Sequence, residues 1–138
     1  AGTLQRLPVF AAALWWGSLT TIGFLVVPLL FMHLPTPALA GGMAAKLFTA
    51  QTWVSVACGG ILLLISTSKQ ASAPAQRAHD AIIFILLGLL LALLVEFAVA
   101  PRIVTRTNLK LWHSVGSVMY LVQWLCAAIV FWRITPKH

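Results

Sequence analysis

The run DAIIFILLGLLLALLVEFAVAPRIV, residues 80–104, decides the fold. Between Asp80 and Arg102 its only charged residue is Glu96. An apolar run of roughly 20 residues is long enough to cross the hydrocarbon core of a bilayer as a helix. Lipid offers the backbone no hydrogen bonds, so a helix that satisfies its own is the natural spanning structure. Pro101 then marks the end of the span. Glu96 is the anomaly. A carboxylate at membrane depth costs several kcal/mol (~2.5 or more) unless it is paired, protonated or wetted. The chain contains two acidic residues in all, Asp80 and Glu96, so placing one here needs a reason, and the rest of the chain must supply its partner.

The whole composition agrees with a membrane setting. Of 138 residues, 61% are hydrophobic and 8% charged, against about 25% charged in a soluble domain. So little charge cannot coat a water-facing surface. The net charge of +7 does not point to nucleic acid, because Arg6, Lys46, Lys69, Arg77, Arg102, Arg106, Lys110, Arg133 and Lys137 are scattered singly over loops and termini. Cations so placed flank membrane spans and sit in anionic headgroups.

Working outward, the pattern predicts an all-α integral membrane protein, a four-transmembrane-helix bundle forming one domain over residues 1–138. The expected spans are 8–32, 39–66, 79–100 and 109–133. The N-terminal stretch AGTLQRLPVF lacks the layout of a secretory signal and reads as the start of the first span. Pro28 should kink that span near its far end, and Pro35 and Pro37 force a turn after it. Lys46 and Gln51 suggest that the second span begins with turns in the interface. TSKQASAPAQRAH, residues 67–79, reads as the longest loop. Trp15, Trp16, Trp53, Trp112 and Trp132 lie toward span ends, where indole prefers the interface. An internal echo, VVPLLF at 26–31 against AVAPRI at 98–103 and TWVSVACG at 52–59 against LWHSVGSV at 111–118, suggests two tandem helix hairpins.

Helices in lipid meet through small residues. The expected packing faces are Gly17, Thr20, Thr21 and Gly23 in span 1, Ser55 and Gly59 in span 2, Gly88, Ala92 and Glu96 in span 3, and His113, Gly116, Ser117, Tyr120 and Gln123 in span 4. Cys58 and Cys126 fall inside apolar runs and read as small core side chains; spans 2 and 4 run in the same direction, so the two thiols could also meet.

Four spans put both termini on one side. The other side, here called the mouth, receives His33, Lys46, Glu96, Arg102, Lys110 and His113. At ~1.5 Å per residue, Glu96 and His113 reach similar depth, so His113 is the expected partner of Glu96, with Arg102 or Lys46 next. Three readings follow. The first is a structural polar cluster of Glu96, His113, Arg102 and Lys46 that sets helix register. The second is a copper or haem site using His113, Glu96 and His33, with Met32 and Met43 near, since imidazole and thioether suit those metals. The third is a proton or small-solute relay through a Glu–His pair. No nucleophile–base arrangement is recognisable.

WWGSLTTIGFLVVPLLFMHLPTPALAGGMAAKLF, residues 15–48, resembles the bacterial domain-of-unknown-function 4149 family, itself similar to eukaryotic transmembrane protein 205. The resemblance rests on Trp16 and Gly17, then Gly23, Pro28 and Phe31, then Leu34 and Pro35, Ala40 and Gly41, and Phe48, with His113 opening the last span. It implies a four-helix membrane protein and no settled activity. A more distant similarity, to copper-resistance D-like membrane proteins, implies copper or haem without identifying a ligand.

The leading expectation is therefore a small non-enzymatic protein of the bacterial inner membrane. It would act as a structural or accessory subunit in contact with lipid and either further copies of itself or other membrane proteins. Slightly more cations lie on the terminal side, which favours cytoplasmic termini.

Overall fold

The computed structural model describes residues 2–69, 72–105 and 108–136. Arg106 and Lys137 lie outside them. Four helices are long and apolar enough to cross a membrane: span 1, Gln5–His33; span 2, Pro37–Ser66; span 3, Ile82–Ile103; and span 4, Lys110–Ile134. Among the described residues there is no strand. The expected bundle is present, with span 1 reaching slightly further at each end.

The segment read as the long loop contains a helix of its own, Ala73–Asp80. Ser72 caps it by accepting a hydrogen bond from the Ala75 amide at 3.2 Å, and Pro74 sits in its first turn, two ordinary helix-start signals. Its buried residues, Ala75 and Ala78, face the terminal end of the bundle, while Arg77 Nε donates to the Ile134 carbonyl at 2.8 Å. That bond satisfies an orphan acceptor at the end of span 4. The helix breaks at Ala81, and span 3 runs from Ile82 through Pro101 to Ile103 rather than from 79 to 100, because the π turn before Pro101 accommodates the proline. At the mouth end, Asn108 opens span 4 with φ of 44°, a left-handed conformation that Asn tolerates better than most residues.

The spans form a ring. Span 1 packs against spans 2 and 4, span 3 packs against the same two, and the pairs 1/3 and 2/4 face each other across the centre. Spans 1 and 3 each widen into one π-helical turn, at Ile22–Val26 and Val95–Val99. Each is followed by a proline, Pro28 and Pro101. Proline clashes with the carbonyl four residues back, here Phe24 and Phe97. Both lie within the widened turns, and such a bulge is a recognised way of absorbing a proline without breaking the helix.

This matched pair reveals the repeat. Sliding span 1 so that Pro28 falls on Pro101 carries Pro8, Ala12, Trp15 and Leu19 onto Ala81, Ile85, Gly88 and Ala92, all buried. Sliding span 2 so that Gln51 falls on Gln123 carries Ser55, Cys58 and Leu62 onto Ala127, Val130 and Ile134, again all buried. The proline echo of the sequence therefore marks the true register. The Trp53–Trp112 echo does not, because Trp53 is exposed to the outside of the ring and the burial pattern pairs other residues. Equivalent positions meet across the centre: the Trp15 ring lies over Gly88, where a Cβ would come within 2.5 Å of it, and Phe48 meets Tyr120 edge-on at 5.4 Å. The two hairpins are thus related by an approximate two-fold axis running down the bundle.

The core occupies the terminal half. Ala11, Ala12, Trp15, Leu19, Cys58, Leu62, Ala78, Ala81, Ile85, Ala127, Val130 and Ile134 form one buried cluster. Trp15, expected at the interface, is fully buried at its centre. The small residue Gly88 on the facing span makes room for the indole, an accommodation that local sequence position does not reveal. Towards the mouth nothing comparable exists: residues 22–33 bury no side chain.

Candidate functional site

Near the middle of spans 2 and 4, polar side chains meet on the axis. Gln51 and Gln123 are 4% and 3% exposed, and Ser55 is fully buried. Gln123 Oε1 accepts from Ser55 Oγ at 2.9 Å and from Trp15 Nε1 at 3.4 Å. Gln51 Nε2 donates to Ser18 Oγ at 3.0 Å and to Ser55 Oγ at 3.3 Å. Ser18 Oγ in turn donates to the Trp15 carbonyl at 3.0 Å. The directions are forced. An indole N–H can only donate, so Gln123 must present oxygen to it. Each serine spends its one proton on an acceptor and so must accept from Gln51, which fixes that amide too. The network joins spans 1, 2 and 4 and needs no charge.

One turn toward the mouth, Tyr120 Oη donates to the Leu19 carbonyl, and its ring fills the space left by Gly23 within the first π turn. A side chain at Gly23 would overlap that ring. Trp124 Nε1 donates to Thr20 Oγ1 at 2.8 Å, and Thr20 passes its own proton to the Trp16 carbonyl at 2.7 Å. Spans 1 and 4 are therefore pinned together beside the bulge.

Glu96 occupies the position in the second π turn that Gly23 holds in the first. Its Oε1 accepts from Thr49 Oγ1 of span 2 at 2.8 Å. It makes no ion pair within 4 Å among the described residues, so the partner is Thr49 rather than the expected His113, Arg102 or Lys46. Arg102 turns instead onto the Trp112 ring, 4.6 Å from its centroid, and donates to the Ala98 carbonyl at 2.9 Å. Lys46, His33 and His113 are exposed, as are Met32 and Met43. Among the described residues no three His, Cys, Asp or Glu side chains gather as a metal-binding group. Cys58 and Cys126 are buried and unbridged.

Sequence reasoning named Gln51, Ser55 and Gln123 but assigned them to an interface or to packing faces, and it missed Thr49, Ser18 and the inward role of Trp15. The available signal was spacing. Gln51 and Ser55 lie four apart, hence on one helix face, and Gln123 has the same place in the second hairpin when spans 2 and 4 are aligned on their buried residues, one residue short of the spacing between the prolines.

The chain matches the model of the domain of unknown function DUF4149 over residues 10–111, and it belongs to that family. The match covers most of span 1, all of spans 2 and 3 and the first residues of span 4, so it includes both π turns. No curated protein and no solved structure matches the chain. The fold and family together define a multi-span membrane protein.

Proposed function

We propose that this chain is a small non-enzymatic integral membrane protein that serves as a structural or accessory subunit, alone in several copies or within a larger membrane complex. The observation that carries this reading is how its intramembrane polar groups are used. Glu96, the one acid within a span, hydrogen-bonds Thr49 of the neighbouring helix, and Gln51, Ser55 and Gln123 fasten spans to one another. Such bonds specify helix register and require no chemistry. The outward surface is apolar, with Phe10, Leu14, Phe24, Leu64, Ile83 and Phe97 exposed. It suits lipid or another membrane helix far better than a soluble partner. The proposed setting is the bacterial inner membrane with cytoplasmic termini.

Mass measurement after gentle solubilisation tests the reading. A species heavier than the 14.9 kDa chain, or one containing a second membrane protein, is expected; a bare monomer in every mild detergent counts against it. Copper or haem handling through His113, Glu96 and His33 remains a separate proposal with its own test. An optical spectrum and metal analysis of the native protein, with a signal lost in His113→Ala, would support it, and a colourless, metal-free preparation would sink it. A relay across the bilayer is less well supported, because Leu62, Ile85, Val130 and Ile134 close the terminal side of the bundle with fully buried apolar side chains.

A further inference from the structure

A small chamber lies on the approximate two-fold axis. It is lined by Phe48, Gln51, Thr52, Ser55, Ala92, Val95, Tyr120 and Gln123, and its volume is about 10 Å³, roughly the space that one water molecule needs. The paired rings of Phe48 and Tyr120 stand on its mouth side, one helical turn from Gln51 and Gln123. The hydrogen-bond directions in this network leave one acceptor and one donor over. Gln51 Oε1 and Gln123 Nε2 bond none of the described residues, although both side chains line the chamber and are more than nine-tenths buried. Thr52 Oγ1, also on the wall, donates to the Phe48 carbonyl at 3.0 Å and can still accept.

We propose that this chamber is a binding site for a single water-sized, neutral, hydrogen-bonding molecule, with water as its resident ligand. The ligand donates to Gln51 Oε1 and accepts from Gln123 Nε2, and Thr52 Oγ1 can accept its second proton. Buried amide groups require partners, and a bridging water supplies two or more bonds at once. The lining selects for neutrality. A cation would face the Gln123 amide protons, and an anion would face the Gln51 carbonyl oxygen. The position also fits the logic of membrane proteins built from repeats, in which ligand sites lie near mid-membrane between the repeats and beside interrupted helices. Here spans 1 and 3 are continuous, and each carries only a local irregularity, a π turn followed by a proline.

The test is NMR of the full chain in lipid nanodiscs, with ¹⁵N-labelled glutamine side chains and water as the probe. The Gln123 amide protons should show cross-relaxation with a long-lived water. Ala92→Val puts two methyl groups toward the chamber and should abolish that cross-peak, while an unchanged Trp15 indole N–H resonance shows that the fold survives. Phe48→Ala removes one of the covering rings and should shorten the water residence time at least tenfold. A folded wild type whose Gln123 amide shows no water cross-peak would overturn the proposal, as would a cross-peak that persists in folded Ala92→Val. If Ala92→Val does not fold, the Phe48→Ala residence time decides, and an unchanged value counts against the site.

Discussion

The terminal half and the mouth half of this bundle are made by the same four helices and yet are held in different ways. In the terminal half, large side chains interlock. Trp15 covers Gly88, and Leu62, Ile85, Val130 and Ile134 are fully buried around it. A fifth, short helix is drawn in and tied to span 4 through Arg77. In the mouth half, spans 1 and 3 have each given up regular α-geometry for a π turn and a proline. Contact there combines a few small buried groups, Ala40, Ala44 and Val99, with single polar bonds such as Thr49 to Glu96 and Tyr120 to Leu19. Without a hydrophobic driving force between helices in lipid, close packing holds a bundle more firmly than isolated hydrogen bonds do. The terminal half is the frame, and the mouth half is where shape can change at small cost.

The sharpest way to break this contrast is Trp15→Ala. It removes the largest core side chain and leaves Gln123 without its indole donor. A loss of about 3–5 kcal/mol is expected, read from reversible unfolding in mixed micelles. A stability within ~0.5 kcal/mol of wild type would show that the terminal half is not the frame. Gln123→Leu comes next. Ser55 and Trp15 would lose their acceptor, at a cost of about 1–3 kcal/mol for buried donors left unpaired.

At the mouth, Glu96→Ala and Thr49→Val should each cost about 0.6–1.7 kcal/mol, the measured scale for interhelical polar bonds in membranes. The double variant should cost little more than either alone; full additivity would mean that the two side chains do not act as a pair. Backbone hydrogen exchange sharpens the comparison without mutation. Amides at 22–33 should exchange faster than those at 11–19, since local opening is easiest where few apolar contacts are buried. The smallest effects belong to His33→Ala and His113→Ala. Both residues are exposed, so stability should stay within ~0.5 kcal/mol of wild type, and a larger loss would reveal a partner for them.

Depth along the helix does not settle the mouth's chemistry. Glu96 and His113 do not reach the same level, because Gly116 packs against Val99 and Ile103 and His113 lies nearer the mouth still; the angle at which a side chain leaves its helix matters as well. The π turn at Val95–Val99 changes that angle as well, since the extra residue shifts the helical phase. Threonine is an unremarkable residue in a membrane helix, so the residues alone do not single out Thr49. An indole near a span end favours the interface, and only the empty space at Gly88 on the opposite span gives Trp15 a place in the core. The helix Ala73–Asp80 was legible from Ser72 and Pro74 but was obscured by its polar composition.

The residues alone determined that four segments are long and apolar enough to cross a membrane, and that the two halves echo each other at Pro28 and Pro101. These properties are local: hydropathy summed over a span and the steric demands of proline act wherever the chain goes. The tertiary structure decided the register of the repeat, the partner of Glu96, and the meeting of Gln51, Ser55 and Gln123 on one axis. Each of those depends on the rotation of one helix against another. In an apolar solvent that rotation is set by close packing and by a few directional bonds, which become visible only when all four helices are in place.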